Sequence, residues 1–147
     1  MTPEGLDPGR GAALEHCPDL ERFLRGEIDT NSFPHREHVR IAFEMLRRHE
    51  FAESVWLFSR TLRAMAARAG RPQAFHQTVT IAFLALVAER IERGGASDFA
   101  AFARAHPEML DKQALTRWYR PEQLASAVAR RTFVLPEPTV PPPEPAP

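Results

Sequence analysis

Residues 79–88 constrain this chain more than any others. They read Val79-Thr80-Ile81-Ala82-Phe83-Leu84-Ala85-Leu86-Val87-Ala88, apolar on nearly every side of a helix. Such a segment has no face for water, so other elements must surround it. The rest of the chain supplies amphipathic helices for that purpose. Alanine is abundant, β-branched residues are sparse, and apolar positions recur at three- and four-residue steps. No stretch alternates apolar and polar residues between hairpin turns, and no internal repeat occurs. The expected fold class is all-α, a compact helical bundle of about four main helices plus short ones.

Proline and glycine set the boundaries. Pro18 suits the first turn of a short helix over 16–25, and a loop follows through 26–33. Pro34 opens a second helix over 34–48. Its inward stripe is His35, His38, Ala42, Met45 and Leu46, with Val39 and Phe43 beside it. A third helix, 51–69, turns Val55, Phe58, Leu62, Met65 and Ala66 inward and stops at Gly70. The fourth is expected over 72–93, from Pro72 to the Gly94-Gly95 pair. Ser97 is expected to cap a short helix over 98–105, with Asp98 in its first turn. A short turn or helix over 107–116 and a last helix over 121–131 complete the set. The single domain is therefore expected at 13–134. Residues 1–12 are polar and aperiodic and are expected to be disordered. The Pro-rich tail, 135–147, should be extended or polyproline II.

Composition narrows the role. The 147 residues are 44% apolar, enough for one core. Nineteen basic residues balance 19 acidic ones, which argues against a nucleic-acid partner. Lone Cys17 excludes an internal disulfide and fits a reducing compartment. No apolar run approaches the ~20 residues that span a bilayer, and no signal-peptide core is present. The expectation is a cytoplasmic protein with a small-molecule substrate and no membrane partner. Its apolar helix surface would also permit a homodimer.

Three histidines stand out. His35 and His38 open the second helix three residues apart, so their side chains are surface neighbours. His76 precedes the segment that must be buried, and Thr80, four residues on, shares its face. The second and fourth helices are separated by the third, so their N-termini can meet at one end of an up-down bundle. Three neutral imidazoles with one open position are the ligand set of a catalytic zinc site. The competing reading is a set of satisfied core histidines. A buried imidazole without a partner costs roughly 1–3 kcal/mol, so His76 needs either a hydrogen-bond partner or a metal. His16, His49 and His106 read as ordinary surface or helix-end residues. Thr78 and Thr80 are candidates to hydrogen-bond a metal-held hydroxide, and Glu37 is a candidate acceptor behind the ligands. Arg40, Tyr119 and Arg120 are candidates to hold an anion, while Trp56 and Trp118 read as core or interface anchors. The carboxylate-poor ligand set disfavours di-iron chemistry.

The segments Phe33-Pro34-His35-Arg36-Glu37-His38-Val39-Arg40-Ile41-Ala42 and Phe75-His76-Gln77-Thr78-Val79-Thr80 resemble a group of small bacterial all-helical proteins. Its pattern is Phe-x-His-x-x-His-x-Arg-x-Ala, followed by Phe/Tyr-His-x-Thr-x-Thr. One branch, found beside nitro-compound biosynthesis enzymes, resembles a helical carbonic anhydrase. The resemblance covers about residues 15–134 and places the metal ligands on His35, His38 and His76. It implies a zinc-dependent hydratase that turns carbon dioxide into bicarbonate, with Thr80 or Thr78 orienting the hydroxide and Phe83 and Phe43 forming an apolar wall. Two alternatives remain open. One is another metalloenzyme on the same ligands, an iron or copper oxygenase or a hydrolase. The other is a non-catalytic helical adaptor.

Overall fold

The computed structural model describes residues 14–138 and 143–146. The region read as a disordered N-terminus, 1–12, lies outside them. Seven α-helices and four 3-10 turns make up the regular structure, and no strand occurs among the described residues. The helices are α1 (Pro18–Leu24), α2 (His35–Arg48), α3 (Phe51–Arg68), α4 (Gln77–Gly94), α5 (Phe99–Ala105), α6 (Pro121–Leu124) and α7 (Ala127–Arg131). The all-helical expectation holds.

The apolar segment lies in α4, and α4 is the hub. It packs against α2, α3, α5 and α7. Three apolar clusters surround it. Leu84 meets Phe23, Ile41, Met45 and Phe58 from α1, α2 and α3. Val87 meets Val39, Phe43, Phe99 and Phe102. Ala82 meets Leu115 and Tyr119. Phe23, Phe43 and Phe102 are fully buried, each contributing roughly 1.5–3 kcal/mol of transfer free energy. Ile41, absent from the expected stripe of α2, is also fully buried, because α2 is covered on two sides rather than one.

Several boundaries differ from the sequence expectation, each for a local reason. The fourth helix does not start at Pro72. Pro72–Ala74 is a separate 3-10 turn, and His76 is extended (φ −132°, ψ 110°) with its ring accepting from the Val79 N–H. The helix proper begins at Gln77. The cap of α5 is Asp98 rather than Ser97, since the Asp98 carboxylate accepts from the Ala101 N–H at 2.8 Å. The segment over 107–116 resolves into two 3-10 turns, Pro107–Leu110 and Ala114–Arg117. The last helix is split at Ser126, whose hydroxyl caps Ala129 and starts α7 afresh. Gly95 closes α4 in the left-handed conformation at φ +59°, where a side chain would be strained.

The C-terminal chain beyond α7 is held to the bundle. Thr78 Oγ1 donates to the Thr132 carbonyl at 2.8 Å and accepts from the Val134 N–H at 3.1 Å. Tyr119 Oη donates to the Val134 carbonyl, and Gln123 donates to the Leu135 carbonyl. Arg120 pairs with Glu137 at 2.9 Å. The first residues of the Pro-rich segment are thus strapped down without regular structure. No helix among the described residues is long and apolar enough to cross a membrane.

Candidate functional site

His35 and His38 sit in the first turn of α2, and His76 caps the start of α4. Both helix starts lie at one end of the molecule, where two small cavities open between α2, α3 and α4. The larger, about 240 Å³, is lined by His38, His76 and Thr80 together with Phe33, Leu62 and Met65. The smaller, about 60 Å³, is lined by His35, His38, Thr80 and Phe83 among others. His38 and Thr80 therefore border both spaces. The up-down topology has brought the three predicted histidines to one region.

Each imidazole is anchored the same way. His35 Nε2 donates to the Met109 carbonyl at 3.0 Å. His38 Nε2 donates to the Phe33 carbonyl at 3.1 Å, and its ring stacks on Phe33 at 4.2 Å between centroids. His76 Nε2 donates to the Leu124 carbonyl at 2.7 Å. A carbonyl can only accept, so all three rings carry the proton on Nε2 and present Nδ1 as an acceptor. The Nδ1 of His76 is already used, since it accepts from the Val79 N–H at 3.2 Å. Burial pushes His35 below its ordinary pKa despite the Met109 bond. Burial, with the neighbouring His35 charge second, pushes His38 down to about 4. Both rings are therefore neutral at pH 7, the state in which a histidine ligates or acts as a base.

The fit to a metal divides along this line. His35 and His38 have the right tautomer and a free Nδ1. His76 does not fit as placed, because its Nδ1 holds the helix cap. Among the described residues no three His, Cys, Asp or Glu side chains are grouped as one ion requires.

The supporting residues sort differently from expectation. Thr80 stays at the site, lining both cavities, with its hydroxyl donated to the His76 carbonyl at 2.7 Å. Thr78 belongs to the C-terminal strap, its hydroxyl engaged by Thr132 and Val134. Phe83 forms apolar wall beside His35, ring centroids 4.9 Å apart. Phe43 instead packs on Phe99 and Phe102. Glu37 is not behind the histidines; it pairs with Arg40, which also holds Asp19 at 2.8 Å. Arg40, Tyr119 and Arg120 all have protein partners, which leaves them occupied as anion holders. Trp56 and Trp118 are 59% and 42% exposed, so neither is a core anchor. The carbonyl partners Met109, Phe33 and Leu124 were not legible beforehand, because backbone acceptors leave no signal in side-chain identity.

No family model, curated protein or solved structure matches this chain. The resemblance to the helical carbonic anhydrase rests on the motif residues alone.

Proposed function

We propose that the space between α2, α3 and α4 is the working site of a small-molecule enzyme, a metal-dependent hydratase with zinc held by His35, His38 and His76. The observation that carries this reading is the shared anchoring of His35 and His38, the two rings that keep a free Nδ1. Donating one ring N–H to a backbone carbonyl is how proteins orient ligating histidines, because it fixes the tautomer and leaves the other nitrogen for the ion. Zinc on these residues would supply an ionisable water near pH 7, the chemistry that hydration of carbon dioxide or another small electrophile needs. Around it, Phe83 provides apolar wall, and Thr80 lies between the two cavities.

Loading would require the His76 Nδ1 to release the Val79 N–H while Nε2 keeps the Leu124 carbonyl, and the lost helix cap costs about 1 kcal/mol. The test is metal content by mass spectrometry, on protein purified without chelator or affinity tag, for wild type and for His35→Ala, His38→Ala and His76→Ala. One equivalent of zinc, lost in all three variants, supports the reading and leads to a carbon dioxide hydration assay. Iron or copper in place of zinc redirects it to oxygen chemistry. No metal after reconstitution overturns it.

A second reading is favoured by the double use of His76. With Nε2 and Nδ1 both bonded to backbone, this ring already satisfies its burial without a metal. In that case the cavity binds its ligand directly. No zinc in the wild type, even after reconstitution, together with ligand binding in the cavity would favour this version of the site.

A further inference from the structure

The larger cavity is bigger than carbon dioxide requires. Its 240 Å³ corresponds to about eight water volumes at ~30 Å³ each. The walls are mainly apolar, with Phe33, Leu62, Met65, Ala66, Ala74 and Phe75 among the lining residues. The polar groups at the inner end, His38, His76 and Thr80, donate to backbone carbonyls. These donors are therefore already engaged by the protein.

The mouth has the opposite character. Arg71 lines the cavity yet is exposed, and its guanidinium has no partner among the described residues. Two further arginines frame the same segment. Arg63 lies over the Phe75 ring at 5.0 Å and donates to Gln77, while Arg130 donates to the Gln73 carbonyl at 2.6 Å. No acidic residue is among those that line the cavity; Asp29, the sequence neighbour of lining residue Thr30, has its carboxylate engaged by the Asn31 N–H. An apolar pocket with one unpaired guanidinium at its rim suits a ligand with an apolar body and a single anionic head.

We infer that this cavity binds a small amphipathic monocarboxylate, its chain of about six carbons against Leu62, Met65 and Phe75 and its carboxylate on Arg71. The inference goes beyond the reading above: it names a ligand class for the larger cavity, and a saturated carboxylate, which has no carbon to hydrate, binds there as a ligand and not as the hydratase's substrate. Binding itself does not depend on the metal.

Met65 is 3% exposed and faces the cavity, which makes its methyl group a local reporter. The full-length chain, labelled with ¹³C at methionine methyls, is titrated with hexanoate and with hexan-1-ol, as purified and after chelator treatment. Hexanoate is expected to shift the Met65 signal saturably, and the alcohol to bind about tenfold more weakly for lack of the charge-assisted bond. Arg71→Gln should reduce hexanoate to the level of the alcohol and leave the alcohol unchanged. Ala66→Phe, which fills the pocket, should abolish both. Three results would each overturn the inference: no Met65 shift, equal binding of acid and alcohol, or an intact preference in Arg71→Gln. If Ala66→Phe fails to fold, Arg71→Gln still decides the matter. Hexanoate binding by metal-free protein with no metal uptake by the histidines would keep this inference and sink the zinc reading; the reverse pattern would do the opposite.

Discussion

His76 and Leu124 are joined across 48 residues by one hydrogen bond, Nε2 to carbonyl at 2.7 Å. The same ring caps α4 through Nδ1, so one side chain fixes where the central helix starts and where α6 ends. His76→Ala removes both bonds and strands a carbonyl. The expected loss of stability is about 2–3 kcal/mol, measured by urea denaturation of the metal-free protein. His76→Asn keeps a good capping residue and loses only the tertiary bond, so it should cost about 1 kcal/mol. Equal losses would show that the cap contributes nothing.

Thr78 is fully buried, and its hydroxyl both donates to Thr132 and accepts from Val134. Thr78→Val keeps the shape and deletes both bonds. Stability should fall by about 1–3 kcal/mol, and limited proteolysis should cut within 132–137 several-fold faster. Metal content and ligand binding should be unchanged, because the residue serves the strap. A loss of metal in Thr78→Val would return it to the active site.

His38 sets a pH dependence. Its folded pKa of about 4 lies below the ordinary 6.5, so the unfolded chain binds more protons between those values. The stability it contributes is full above pH 6.5 and is lost as pH falls toward 4, by roughly 2–3 kcal/mol in metal-free protein. His35 acts in the same direction. Denaturation midpoints from pH 4 to 8 should show this slope, and His38→Gln should flatten it. A midpoint that is level across the range would refute the assignment.

Phe102 is fully buried and packs its ring on Phe43 at 5.0 Å, against Phe99 and beside His106. Phe102→Ala should cost about 3–5 kcal/mol by thermal unfolding, with a cavity left between α2 and α5. Trp56→Ala, on an exposed ring, should stay within about 0.5 kcal/mol of wild type. Comparable losses in the two variants would mean that the second cluster is loosely packed.

The sequence by itself determined the all-helical class and the central position of the apolar segment, and the order of its helices allowed the starts of the second and fourth to lie at one end of the bundle. Helical periodicity and proline and glycine punctuation are local properties, and local properties are written in side-chain identity. The tertiary structure decided what His35, His38 and His76 do. His76 becomes a cap because its backbone turns extended, and its second nitrogen finds Leu124 only through the fold. Thr78 and Thr80 share a motif but part company, since one faces the C-terminal strap and the other the cavities. Arg71 stands at a cavity mouth because the turn over 71–76 brings it there. Backbone acceptors and long-range packing set these roles, and neither is encoded in the spacing of residues along the chain.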